Sequence, residues 1–205
     1  MKRIACVGDS ITWGFTILRR SKYSYPSVLQ SLLEDKAKVG NFGLNDATAS
    51  LESEMPYARR ATFKKALDFH PDTVLMMLGS NDSKRINWNE KNFREGYLFI
   101  LEKFMDMGAK PYLLLPPAVL NRIEIRQGVQ IDRLEPKFLA LDETTLTGSV
   151  IPAIQDIAST LSLPVIDLHS VVADISLFND GIHPNRTGTA LMAETVFSQI
   201  KSSLL

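Results

Sequence analysis

Two hydrophobic patterns alternate along this chain, and that alternation most limits what it can fold into. Short, nearly unbroken apolar runs exchange with longer stretches whose apolar residues recur every three to four positions. The runs occupy residues 3–7, 38–42, 73–78, 110–115 and 165–168. They are rich in Val, Leu and Ile and scarcely alternate, as strands covered on both faces read. The helical stretches cover residues 25–34, 55–69, 89–107, 151–161 and 187–200. The clearest stripe is Phe93, Tyr97, Ile100, Leu101 and Phe104, with Gly108 following as a stop. Repeated strand–helix units predict an α/β chain, a three-layer α/β/α sandwich on a five-stranded parallel sheet. The expected strand order is flavodoxin-like, 2-1-3-4-5, which puts the switch point between the first and third strands.

A chain of 205 residues suits a single domain spanning residues 1–205. Residues 116–147, with Pro116-Pro117, Gly128 and Pro136, read as a long irregular connection and a candidate lid. Its Arg122, Arg126 and Arg133 either meet an acidic substrate or are simply solvated. Lys+Arg and Asp+Glu balance at 23 each, which argues against nucleic acid or an anionic membrane as partner. The lone cysteine, Cys6, excludes an internal disulfide and sits within the first apolar run, the setting of a buried small hydrophobe rather than a nucleophile. No run of apolar residues is long enough for a membrane span. The apolar run begins almost at once, so no leader is read and the cytoplasm is the expected location. Nothing in the sequence sets an oligomeric state.

Each sheet-forming run empties into a polar loop. Gly8-Asp9-Ser10-Ile11-Thr12 follows the first, and Asn41 to Thr48 closes the second. Gly79-Ser80-Asn81-Asp82 follows the third, and Asp180-Gly181-Ile182-His183 precedes the last helix. In an open α/β sheet these loops share one rim, where ligands bind. Ser10 is then either a helix cap or a nucleophile. A serine nucleophile needs a base. His70 belongs to the opposite rim, and His169 suits a bond to a loop carbonyl. His183 has Asp180 three residues before it across a glycine turn, which fits an acid holding Nδ1–H while Nε2 faces the serine; otherwise Asp180 caps a helix-start turn. The Ser10 N–H, the Asn81 amide and a loop N–H after the second strand are candidate oxyanion donors. Asp9, Trp13, Gly79 and Trp88 are candidate substrate contacts, although both tryptophans also suit packing at the core edge.

These four separated motifs, in this order over nearly the whole chain, resemble the GDSL, or SGNH, hydrolase family. The resemblance implies Ser10 as nucleophile, Asn81 as amide donor and the pair Asp180 and His183 as acid and base. The family's second motif usually reads Asn-x-Gly-x-x-Gly-x-Thr; Asn41, Gly43 and Thr48 match, but Asp46 replaces the later glycine. Asp46 is therefore expected to donate through its main chain, with its side chain turned to solvent or a neighbouring amide. Residues 78–84 with Asn87-Trp88, Pro116-Pro117 and residues 166–169 look like the carbohydrate O-acetylesterase branch, sialate-type members in particular. The implied reaction is hydrolysis of an ester, most like an acetyl group on a sugar, through a Ser-His-Asp triad and an acyl-enzyme. It needs no metal or organic cofactor. The rivals are a short-chain lipase or thioesterase of the same fold, a degenerate carbohydrate-binding member, and a metallophosphoesterase. The last would need more converging carboxylates and imidazoles than three histidines suggest.

Overall fold

The computed structural model describes residues 1–120, 123–126, 129–132 and 140–204. Its frame is a five-stranded parallel sheet of β1 (Lys2–Gly8), β2 (Ala37–Gly43), β3 (Thr73–Met77), β4 (Lys110–Leu115) and β7 (Val165–Asp167), ordered β2-β1-β3-β4-β7. In order along the chain this is 2-1-3-4-5, as the hydrophobic pattern predicts. Register runs Cys6 against Asn41 on one side of β1 and against Leu75 on the other, so the exits of β1, β2 and β3 lie side by side. The helices are α1 (Ser10–Trp13), α2 (Arg20–Tyr23), α3 (Tyr25–Leu33), α4 (Ala61–Asp68), α5 (Glu90–Met105), α6 (Glu143–Thr145), α7 (Ile151–Leu161) and α8 (Arg186–Leu204).

Alternate side chains on the central strands β1 and β3 serve two cores, because successive residues point to opposite faces. Ala5, Val7, Val74 and Met76 face one layer, with Phe63 of α4, Phe93, Tyr97 and Phe104 of α5, and Ile154 and Ile157 of α7. Ile4, Cys6, Leu75 and Met77 face the other, with Tyr25, Leu29 and Leu33 of α3 and Met192, Val196 and Ile200 of α8. Cys6 is fully buried, and burial pushes its thiol up to about 12, so it is inert as a nucleophile at neutral pH.

Two expectations are corrected. The stretch 55–69 is not one helix. Thr48 bridges to Pro56, its carbonyl accepting the Tyr57 N–H at 3.0 Å and its N–H donating to Met55 O at 3.0 Å, which holds Pro56 extended. A 3₁₀ turn (Tyr57–Arg59) follows, and α4 starts only after extended Arg60. Within 116–147 the connection is not wholly irregular, since β5 (Ile123–Arg126) and β6 (Val129–Asp132) form an antiparallel pair. The period-two runs Ile123-Glu124-Ile125 and Val129-Gln130-Ile131 carry that signal, in segments too short to stand out from their surroundings. Arg122 and Arg133, and the side chain of Arg126, lie outside the described residues. After α6 the chain makes a π-helical turn (Leu146–Val150) running into α7. No described helix is long and apolar enough to cross a membrane.

Candidate active site

β1 delivers Ser10 directly. The chain leaves Gly8, and Asp9 caps α1 by accepting the Ile11 N–H on Oδ1 at 2.9 Å. Ser10 is the first residue of that single turn. Asn41 ties the second loop against it, donating through Nδ2 to Thr12 O at 2.8 Å and accepting the Gly43 N–H at 3.0 Å. Gly43 has no alternative here, because a Cβ would run into the Trp13 backbone.

The base arrives from the far end of the chain. The turn after Asp180 needs Gly181 at φ 84°, a left-handed conformation that side chains disfavour. Asp180 Oδ1 accepts the N–H groups of Ile182 (3.0 Å) and His183 (2.7 Å), and Oδ2 accepts from His183 Nδ1 at 2.7 Å. His183 Nε2 lies 3.0 Å from Ser10 Oγ. With Nδ1 committed as donor to a carboxylate, neutral Nε2 is an acceptor, so the serine hydroxyl donates to it. Burial alone would raise the Asp180 carboxyl, but the His183 ring and the two N–H groups outweigh it and hold it below its usual range. Asp180 therefore stays ionised near neutrality and fixes the ring's tautomer.

The candidate oxyanion donors sit on the loops that leave β1, β2 and β3, whose ends lie side by side. Asn81 is buried at the start of a 3₁₀ turn (Asn81–Ser83), and its Nδ2 reaches Ala47 O at 3.2 Å. Asp46 has φ 61°, the left-handed conformation usually left to glycine, and its side chain points outward with 71% exposure toward Lys84. Among the described residues neither the Ser10 nor the Asp46 N–H has a hydrogen-bonded acceptor. Buried Asp82 steadies the Asp46 loop by accepting the N–H groups of Ala49 (3.0 Å) and Ser50 (2.9 Å). Burial, helped by the nearby Asp9 charge, still pushes the Asp82 carboxyl up to about 7.

The expected substrate contacts fare less well. Asp9 is fully buried, and Gly79 is buried beneath Val150 and Ile154, so neither offers a face to a ligand. Trp88 packs on Phe93 with ring centroids 5.4 Å apart. Trp13 is half-buried under the Arg20 guanidinium, 3.9 Å from its ring centroid. The aromatic that does flank the base is Phe15, 42% exposed, its ring centroid 4.8 Å from that of His183. Sequence reasoning passes over it because a phenylalanine two residues beyond Trp13 carries no local mark of its direction. His169 bonds Pro116 O through Nδ1 at 3.2 Å, the carbonyl contact expected of it, and its Nε2 meets Glu143 Oε1 at 3.1 Å. His70 sits before β3 on the opposite rim. Among the described residues no three of His, Cys, Asp and Glu converge as metal ligands.

Comparison with known proteins follows the same lines. The model of the GDSL-like Lipase/Acylhydrolase family matches residues 6–191. An acetylxylan esterase of Xylanibacter ruminicola is 35% identical over 213 residues, covering 97% of this chain and 43% of that protein. This chain thus spans less than half the length of that relative. Among solved structures, the native aryl esterase of M. smegmatis superposes with a TM-score of 0.77 at 20% identity, covering all of both chains. A carbohydrate acetylesterase family member from Sinorhizobium meliloti does so with a TM-score of 0.73 at 22% identity, over 100% of this chain and 99% of that one. At these identities the two structures share the fold.

Proposed function

Because the chain belongs to the GDSL-like lipase/acylhydrolase family, we propose that it is a serine hydrolase of carboxylic esters that removes acetyl groups from carbohydrate. The observation that carries this reading is the continuous chain from Ser10 Oγ through His183 (3.0 Å) to Asp180 (2.7 Å). A serine is a weak nucleophile unless a neighbouring base takes its proton, and this arrangement supplies that base with its tautomer set.

In the proposed reaction His183 Nε2 takes the Ser10 proton as Oγ attacks the ester carbonyl. The oxyanion settles on the N–H groups of Ser10 and Asp46 and on the Asn81 amide. Each such donor is worth on the order of 3 kcal/mol of transition-state stabilisation. His183 then protonates the departing alcohol. Water, deprotonated by the same ring, releases the acid and restores the serine. The acetylated-sugar assignment draws on the relative named for acetylxylan. It also draws on half-exposed Phe15, whose apolar ring beside the base can take the face of a sugar alcohol.

A fluorophosphonate probe should label the protein at Ser10 and fail on Ser10→Ala. Given p-nitrophenyl acetate, butyrate and octanoate beside acetylated xylo-oligosaccharides and O-acetyl sialic acid, the enzyme should prefer acetate and release acetyl from the xylan fragments. Folded protein that resists the probe would defeat the hydrolase reading. A preference for octanoate would defeat the acetylesterase reading alone.

A further inference from the structure

Asp46 poses a problem that the triad does not solve. Its N–H is read as an oxyanion donor, yet its side chain carries the same sign of charge that develops there. The structure places a cation against it. Lys84 Nζ is 3.6 Å from Asp46 Oδ1, and the Lys84 side chain is only 18% exposed. Lys84 also closes the 3₁₀ turn that begins at Asn81, donating its N–H to Asn81 O at 3.4 Å. Asn87 clamps the same carbonyl through Nδ2 at 2.8 Å. One short turn therefore presents the amide donor on one side and an ammonium on the other, and the ammonium reaches the loop that holds the second donor. Asp46 and Lys84 share a cleft with Glu54, Met55, Ile86 and Asn87, in which Glu54 is the one further charged lining residue.

We propose that Lys84 is a positioning residue for this hydrolase: its ammonium neutralises Asp46 and holds that carboxylate on the cleft wall, so that a left-handed aspartate can present its N–H to the oxyanion. The inference rests on the reading of Asp46 as a main-chain donor. It explains how this chain keeps a charged residue where the resemblance leads one to expect glycine. The aspartate holds the left-handed turn, which Asp tolerates better than most residues, and the lysine cancels the field that the aspartate brings.

A double-mutant cycle on p-nitrophenyl acetate tests it, with Lys84→Met, Asp46→Asn and the two combined. Asparagine removes the charge while keeping tolerance of the left-handed backbone, and methionine keeps the apolar stem of lysine. Lys84→Met should lower kcat about three- to fivefold with KM within about twofold, the effect of a charge that matters only as the oxyanion forms and that solvent partly screens, since the Asp46 side chain is 71% exposed. In the Asp46→Asn background the same substitution should lower kcat less than about twofold, because there is no carboxylate left to neutralise. Lys84→Arg, which restores a cation, should recover most of the parental kcat. Equal losses in both backgrounds would overturn the proposal, since Lys84 would then act without Asp46. A loss confined to KM would overturn it too, as ground-state binding. Should Lys84→Met not fold, Lys84→Gln is read by the same criteria. A Ser10→Ala variant with parental turnover would instead bring down the hydrolase reading beneath the proposal, and so separates the two failures.

Discussion

At the scale of single residues, the site rests on one carboxylate doing two things. Asp180 Oδ1 closes the turn by accepting the N–H groups of Ile182 and His183, while Oδ2 holds the ring. Asp180→Asn separates these roles. Its carbonyl can still close the turn, but its NH₂ then faces Nδ1 and favours the tautomer whose proton sits on Nε2, where it cannot accept from serine. We expect kcat to fall by about three to four orders of magnitude with the fold and KM largely retained. Circular dichroism together with steady-state rates checks this, and a loss below about tenfold would mean that Asp180 does not set the tautomer. Ser10 and Asn81 stand out in the sequence because each sits in a short motif at the exit of β1 or β3, while Asp180 and His183 stand out as an Asp-x-x-His turn before α8; the contact of His183 with Ser10 comes from the fold. Lys84 and Phe15 do not, because their importance comes from what lies across a loop boundary, Asp46 for one and the His183 ring for the other. Trp13 and Trp88 read equally as ligand platforms or core-edge packing in the sequence, and the structure gives each a packing partner, the Arg20 guanidinium and the Phe93 ring.

At the scale of elements, the central strands β1 and β3, buried on both faces, announce themselves, since nearly all of their buried side chains are apolar. Short elements do not, and the β5–β6 pair and the broken 55–69 stretch are both set by local pairing a few residues away, in segments too short to show a period of their own. Helix α6, three residues long, is fixed to the sheet rim by a tether. Glu143 Oε2 accepts the Val119 N–H at 2.7 Å, and Oε1 meets His169 Nε2 at 3.1 Å. His169 Nδ1 in turn faces Pro116 O. Both partners of the imidazole are acceptors, so both ring nitrogens must donate, which only the charged ring does. Glu143, with Asp167 and the Pro116 carbonyl, accordingly raises His169 above its usual value against the effect of burial. A raised histidine stabilises the docked state most fully below its unfolded value and loses that contribution as pH rises through the folded one. Glu143→Gln keeps an acceptor for Val119 but removes the charge. Amide exchange around 116–120 and 141–150 should therefore quicken severalfold over the parent at pH 6, and the difference should shrink by pH 8.5. A variant-to-parent ratio that is the same at both pH values would show that the ion pair does not carry the docking.

For the molecule as a whole, the rim that carries the candidate site is built at a cost in electrostatics that should show in its stability curve. Asp9 and Asp82 are wholly buried beneath the site, with carboxyls pushed up to about 6 and about 7, burial being the main cause for each. Asp82 at least has two backbone N–H groups. Asp9 has the Ile11 N–H on one oxygen, while Oδ2 and the neighbouring Ser80 hydroxyl both lack a partner in hydrogen-bonding geometry. A carboxyl whose folded value is raised binds its proton more tightly in the native state than in the unfolded one. Between the unfolded value near 3.8 and the raised values the native state thus carries the extra protons, and unfolding free energy falls as pH rises through that interval. Asp180 and Asp167, both lowered, have the opposite sign, but their contribution is lost only as pH falls through their folded values, below the ordinary carboxylate range. Raised His169 extends the decline above its own unfolded value. The protein should therefore be most stable on the acid side of neutrality, and its urea midpoint should drop between pH 4.5 and pH 7.5. Asp9→Asn tests the origin of that slope. The amide carbonyl can keep the Ile11 N–H, and the NH₂ can donate to the idle Ser80 oxygen. The variant should match or exceed the parent at pH 7.5 by on the order of 1–3 kcal/mol, with a flatter pH dependence. If the parent's midpoint held level or climbed across this range, or if Asp9→Asn kept the parental slope, the buried carboxylates would not be the source of the pH dependence.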